Sequence, residues 1–236
     1  VRPTEPLLRN MIKFALSFGN IEKGVKYALE YFRKTNKIIP SYGKELIKNN
    51  SVVCTHCHST NVVRLLIAAK KSGKKFKVYL TETRPLYQGR KTARELKNAK
   101  IKVTMFVEAA ARSAVTKAQK TKKVDLMLLG ADAILKKGVI NKVGSGMFSQ
   151  IAKSNKIPIF IVADSWKYFP KDIKIEERDF EEVWDTERKI KIKNPAFGLI
   201  KKKYISGVIS EIGNLSYNQF LKKFKGKGLI KKLLGK

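Results

Sequence analysis

From Ser51 onward the chain alternates short, continuously apolar runs with stretches of helical spacing, and this pattern restricts the fold more than any other feature. The runs are "SVVCT", "FKVYLTE", "IKVTMFVE", "VDLMLLGAD" and "IPIFIVADS", rich in branched residues. Between and after them stand "NVVRLLIAAKKSG", "GRKTARELKNAK", "AARSAVTKAQKT" and "GSGMFSQIAKSN", whose apolar residues recur at three and four. A strand that is apolar throughout must be covered on both faces, and helices placed between successive strands make those strands parallel. The pattern predicts an α/β fold, a Rossmann-like doubly wound and mostly parallel sheet. Upstream, "PLLRNMIKFALSF" and "IEKGVKYALEYFRK" have amphipathic helical spacing, and "YGKELIKNN" reads as one more helix. The expected organisation is a helical segment over residues 1–48 and a Rossmann-like domain over 49–236, with the boundary near Asn49–Asn50.

Composition narrows the setting. A chain of 236 residues that is 43% hydrophobic can bury one substantial core. It has neither an apolar run of about 18 residues nor a charged-then-apolar leader, so a membrane span or export is not expected. Two cysteines make no disulfide framework and fit a reducing, cytoplasmic location. The formal charge of +32 attracts polyanions. Lysines are nevertheless spread through nearly every segment, so the charge reads mainly as solvated surface. The basic tail "KKFKGKGLIKKLLGK" reads as a frayed end, with binding to an anionic surface as the alternative.

In an open parallel sheet, ligands bind beyond the carboxyl ends of the strands. Those loops carry the reactive residues of this chain. The stretch "SVVCTHCHSTN" holds both cysteines and both histidines. Cys57 falls at the strand end, and Ser59, Thr60 and Asn61 open the next helix. Arg84, Gln88, Gly89 and Arg90 stand at the start of a second helix, and Asp132 follows a third strand. Asn141, Lys142 and two glycines precede another helix, and Lys167 lies beyond a fifth strand. Helix N-termini, hydroxyls, glycines and cations together suit phosphate groups.

The Cys54-x-x-Cys57 spacing also suits a redox pair or half of a zinc site. Zinc needs ligands that the rest of the chain lacks, and the redox motif starts on a helix, whereas Cys54 belongs to a strand. Cys54 therefore reads as buried filler. Cys57 is either similar filler or a thiol whose pKa is lowered by a helix N-terminus and the neighbouring imidazoles. Asp132 is either a turn cap or surface ion-pair partner, or a functional carboxylate sharing a site with Cys57.

The segments "THCHS", "TETRPLYQGRKTARELKNAKIKVT", "LLGADAI" with "VINKVGSG", and "VADSWKYFP", followed by "NPAF" and "ISEIG", resemble one superfamily in order and spacing. It joins archaeal ribose-1,5-bisphosphate isomerase, methylthioribose-1-phosphate isomerase and the regulatory subunits of translation initiation factor 2B. The resemblance runs from Arg2 to about Gly213. It implies an aldose–ketose isomerase acting on ribose 1,5-bisphosphate in archaeal nucleotide (AMP) salvage. Cys57 would be the base and Asp132 the acid. Arg2, Ser59, Thr60, Asn61, Gln88, Asn141, Lys142 and Lys167 would hold phosphates or sugar hydroxyls. No metal or organic cofactor is implied. The implied partners are a phosphorylated sugar and further copies of the chain, as a dimer or a ring of dimers, with no membrane. The alternatives are a non-catalytic binding subunit of the initiation-factor-2B type, which would engage an initiation-factor subunit, and methylthioribose-1-phosphate isomerase itself. Departures from the family pattern include Glu108 where the family has aspartate, and the lack of an upstream Arg-Gly-Ala phosphate motif. The second departure implies a truncated helical region and a chain of reduced or absent activity.

Overall fold

The apolar runs line up in one sheet. The computed structural model describes residues 4–118, 120–186 and 190–224. Arg2 and most of the basic tail lie outside those residues. Helices α1 (Pro6–Leu16) and α2 (Ile21–Gly43) lead into β1 (Val52–Thr55), α3 (Thr60–Lys71), β2 (Lys77–Thr81), α4 (Gln88–Asn98) and β3 (Lys102–Phe106). Next come α5 (Ala111–Val115), β4 (Leu126–Leu129), β5 (Ala133–Leu135), β6 (Gly138–Lys142), α6 (Ser145–Ser154) and β7 (Ile159–Val162). The described chain closes with β8 (Phe197–Lys201), β9 (Gly207–Ser210), β10 (Gly213–Leu215) and α7 (Tyr217–Phe224).

Seven strands form the main sheet in the order β10-β9-β7-β4-β1-β2-β3. All neighbours are parallel except β10, which runs antiparallel to β9. Alternation along each strand divides the core between two faces. Val53, Val78, Leu80 and Leu128 pack with α3 and α4 through Leu65, Leu66 and Leu96. Cys54, Met127, Leu129 and Ile161 pack on the other side with Val115, Phe148, Ala152 and Phe220. The doubly wound α/β reading thus holds, with Cys54 as core filler.

Local spacing misjudged some elements. "AARSAVTKAQKT" yields only the five-residue α5. Thr116 is extended, and the Thr121 hydroxyl then engages the Ser113, Thr116 and Ala118 carbonyls, which turns the chain away. "YGKELIKNN" supplies the end of α2 and one 3-10 turn, Lys44–Leu46, in place of a helix. A second, antiparallel sheet, β5-β6-β8, stands apart from the first. Its third strand lies far along the chain, beyond the reach of local periodicity.

The α1–α2 hairpin docks on the carboxyl edge of the main sheet through Trp166. This indole stacks on Tyr31 at 4.5 Å and meets Phe14 at 5.1 Å and Phe32 at 5.3 Å. Asn10 Nδ2 donates to the Trp166 and Tyr168 carbonyls at 2.6 and 3.1 Å. Trp166→Ala is therefore expected to cost about 3–5 kcal/mol, measured by urea unfolding, with increased proteolysis within residues 6–43. Unchanged stability would show that the hairpin docks by other contacts.

Candidate functional site

Strands β1 and β4 are neighbours, yet the chain leaves β1 toward α3 on one face and leaves β4 toward α6 on the other. This divergence opens a crevice at their carboxyl ends. A cavity of about 490 Å³ lies there. Cys57, Asp132, Ser59, Thr60, Asn61, Gln88, Asn141, Lys142 and Lys167 all line it, and Arg2 falls outside the described residues.

Cys57 is held by its backbone. Its φ is 67°, and its N–H donates to Thr83 Oγ1 at 3.1 Å. Thr83 also has φ 67°, a costly conformation for a branched residue. Glu108 secures that loop: Oε1 accepts from Thr83 N at 2.7 Å and Oε2 from Arg84 N at 3.3 Å. His56 is buried beneath the site. Its Nε2 donates to the Val143 carbonyl at 2.8 Å, which leaves Nδ1 to accept from the Thr81 hydroxyl at 2.5 Å. Burial lowers the His56 pKa, so the ring is neutral. Gly144, at φ 96°, gives the ring room, since a Cβ there would stand 3.1 Å from Nε2. His58 turns to Thr92 Oγ1 at 3.1 Å and toward Glu95 at 3.9 Å, and burial lowers its pKa as well.

These contacts correct the expected thiol. Burial pushes Cys57 up to about 11, and the negative charges of Asp132 and Glu108 add to the rise. A hydrogen bond from the His58 backbone and the Lys142 ammonium oppose it without reversing it. The imidazoles cannot lower the thiol, because both are held neutral and engaged elsewhere.

One end of the cavity is the start of α3. Ser59 caps the helix by accepting from Val62 N at 3.5 Å, and the Thr60 and Asn61 N–H groups have no intrahelical acceptor. Gly130 permits the end of β4 to approach, for a Cβ there would meet Ser59 Oγ at 2.7 Å. Gln88 Oε1 is buried in the wall without a hydrogen-bond partner, an acceptor suited to a ligand hydroxyl. The antiparallel arm supplies more of the lining. Pairing of Ala133 with Ile140, and of Asp132 N with the Ile140 carbonyl at 2.8 Å, brings Asp132 beside Asn141 and Lys142. Asn141 Nδ2 donates to Ser145 Oγ at 2.9 Å, and burial lowers the Lys142 pKa. Lys167 Nζ donates to the Ala131 carbonyl at 2.7 Å and pairs with Glu5 at 3.4 Å.

Glu5, Asn36, Arg64 and Arg178 also line the cavity and were not picked out in the sequence. Arg64 had a usable signal: it follows Thr60 and Asn61 by four and three residues, on the same helical face. Arg178 had none. It lies in an irregular acidic stretch, where its guanidinium meets Glu182 at 2.8 Å and Glu176 at 3.6 Å. Arg84 and Arg90 do not line the cavity. Both lie over the Tyr87 ring, at 5.1 and 3.9 Å, and Arg90 pairs with Glu82. Among the described residues, no cluster of His, Cys, Asp and Glu is placed to hold a metal ion, and no helix is long and apolar enough to cross a membrane.

The sequence matches the Initiation factor 2 subunit family over residues 3–217. It is 36% identical over 228 residues to a ribose 1,5-bisphosphate isomerase of Methanocaldococcus jannaschii, covering 90% of this chain and 72% of that protein. Among solved structures, the Pyrococcus horikoshii translation initiation factor eIF-2B superposes with a TM-score of 0.78 at 29% identity, covering 91% of this chain and 77% of the other. The 5-methylthioribose 1-phosphate isomerase of the same organism gives a TM-score of 0.76 at 27% identity, over 87% and 63% of the two chains. Shared sequence and shared architecture thus agree: the chain belongs to the Initiation factor 2 subunit family.

Proposed function

We propose that the chain is an aldose–ketose isomerase that converts ribose 1,5-bisphosphate into ribulose 1,5-bisphosphate, in nucleotide salvage. The observation that carries the reading is one cavity lined at once by the Cys57 thiol, the Asp132 carboxyl group, the start of α3 and the side chains of Arg64, Lys142, Lys167 and Arg178. The start of α3 with Arg64 suits one phosphate. Lys142, Lys167 and Arg178 suit the other. The name borne by the Methanocaldococcus relative supports the same substrate.

The chemistry follows from the substrate, whose C1 carries phosphate and therefore cannot open to a free aldehyde. Cys57 thiolate takes the proton from C2. The electrons form a C1–C2 double bond as the bond from C1 to the ring oxygen breaks, and Asp132, which enters the cycle as the protonated acid, gives its proton to that oxygen. The enol then collapses: its hydroxyl proton passes to Asp132 while Cys57 returns a proton to C1, giving the C2 ketone. Carbon acidity demands a strong base held against the reacting carbon, and ring opening demands a proton at the departing oxygen. Both residues return to their starting states.

A second reading, a non-catalytic binding subunit, draws support from the thiol. With Cys57 raised to about 11, the sulfur is protonated at neutral pH unless a ligand changes its surroundings. As for assembly, we propose a homo-oligomer formed through the α/β domain. Edge strand β3 ends beside exposed Met105 and Val107, and Leu86, Val183 and Trp184 are exposed as well; apolar groups at an open sheet edge suit a second copy.

Cys57→Ser and Asp132→Asn should each lower kcat by about 10²–10⁴-fold with KM little changed, because both act on protons in flight. Cys54→Ser should leave turnover intact. Lys167→Ala should raise KM by about tenfold, through loss of a charged hydrogen bond. Absence of turnover in the unsubstituted protein, with ligand binding that survives Cys57→Ser, would favour the binding subunit. Alkylation of Cys57 in the unliganded protein should follow its thiolate fraction, with a midpoint near about 11; a midpoint near neutrality would overturn the burial account. Light scattering at moderate salt, where the +32 charge is screened, should find a dimer or larger, and a monomer would count against assembly.

A further inference from the structure

Two carboxyl groups are buried side by side where β7 and β9 end, Asp164 in the cavity wall itself and Glu211 behind it. Asp164 and Glu211 are 4% and 2% exposed. Each spends one oxygen on the turn that carries Lys167. Glu211 Oε2 accepts from Ser165 N at 3.0 Å, and Asp164 Oδ1 accepts from Trp166 N at 2.9 Å. The remaining oxygens, Asp164 Oδ2 and Glu211 Oε1, are buried with no hydrogen-bond partner. Two ionised carboxylates in this setting would repel each other, with only the neutral hydroxyls of Thr35, Tyr31 and Ser165 beside them, a combination costly in a protein interior.

We propose that Asp164 and Glu211 share one proton, and that the joined pair is a positioning device for Lys167 at the wall of the substrate cavity. One proton kept on the pair removes one of the two charges and turns one of the free oxygens from an unsatisfied acceptor into a donor. The other two oxygens then fix the first two N–H groups of the Ser165–Lys167 turn, so the pair sets where the Lys167 ammonium stands. The same turn presents Trp166 to the α1–α2 hairpin, whose Glu5, Thr35 and Asn36 form the facing wall. The other charged or titratable groups facing the pair are Tyr31 from α2 and Lys167 itself. Burial and mutual repulsion push Asp164 well above the ordinary carboxylate range, and burial raises Glu211. The inference rests on the reading of the cavity as a sugar-phosphate site only for its effect on binding, since the shared proton is measurable without substrate.

The sign of the pH dependence follows from proton counting. The folded chain keeps a proton that the unfolded chain releases near the ordinary carboxyl value of about 4. Stability contributed by the protonated pair is therefore whole below that value and declines as pH rises toward the folded value. Glu211→Gln or Asp164→Asn puts an amide N–H where the shared proton lies, and should remove the decline.

The test uses the full chain in three measurements. Infrared spectra at neutral pH should show a protonated carboxylic acid band that either amide variant abolishes; its absence in the unsubstituted protein would overturn the proposal. Melting temperatures should fall with rising pH in the unsubstituted protein and fall less in Glu211→Gln; equal slopes would overturn it. Calorimetric binding of ribose 1,5-bisphosphate should weaken about tenfold for Glu211→Ala at all pH values and stay near normal for Glu211→Gln. The Glu211→Ala/Lys167→Ala double variant should bind no worse than Lys167→Ala alone; additive losses would show that the pair acts independently of Lys167. If the unsubstituted protein binds no ribose 1,5-bisphosphate, the functional reading fails while the infrared and melting results still decide the shared proton.

Discussion

The site exists because two neighbouring parallel strands send their chains to opposite faces. β1 continues into α3 and β4 toward α6, so no crossover covers the gap between their carboxyl ends, and backbone N–H groups from the first turn of α3 face into it. Cys57 and Asp132 are the residues that follow those two strands. The cationic and hydrogen-bonding groups of the lining then come from whatever the topology brings to the rim: the α3 start, the β5–β6 hairpin, and the turn after β7. The α1–α2 hairpin adds the last wall, held there by Trp166 of that turn stacking on Tyr31 and by Ile39 of α2 packing into the core beside α3. Sheet geometry, site and helical wall therefore depend on one another.

Burial governs the protonation of the whole region. It raises the Cys57 thiol, keeps His56 neutral and lowers the Lys142 ammonium. All three effects have one cause, the cost of charge in a dry interior. All three favour the neutral form. A doubly phosphorylated ligand would bring charge with it and change that balance: its phosphates would oppose the effect of burial on Lys142, whose ammonium is one of the two groups that lower the thiol. The ligand's own negative charge acts the other way, so its placement relative to Cys57 and Lys142 decides whether a thiolate forms.

Much of this was legible in the sequence, and the limits have physical reasons. Continuous apolar runs such as "LMLLG" could be read because a strand covered on both faces has no polar side. Asp132, Asn141 and Lys167 could be placed because strand ends are where such sheets bind ligands. The β5-β6-β8 arm could not, since β6 pairs with a strand more than fifty residues later, a distance over which no periodicity carries. Arg178 was lost for the same reason. The thiol pKa was misjudged because proximity in sequence placed two imidazoles beside Cys57, whereas the fold points them at Val143 and Thr92.

Charge supplies the last step. Only 19 acidic residues stand against 51 basic ones, yet acids gather around the cavity. Glu5 pairs with Lys167, Glu176 and Glu182 pair with Arg178, and Glu108 clamps the Thr83 loop. Asp164 and Glu211 anchor the Lys167 turn. A lysine on open surface is a mobile point charge, and its contribution to binding is screened by salt. A cation held by a carboxylate keeps one geometry and can distinguish one phosphate position from another. Under the proposed function, the surplus of lysines over acids would draw anions toward the molecule without selecting among them, and the scarce carboxylates, by fixing a few cations at the crevice, would provide the selection.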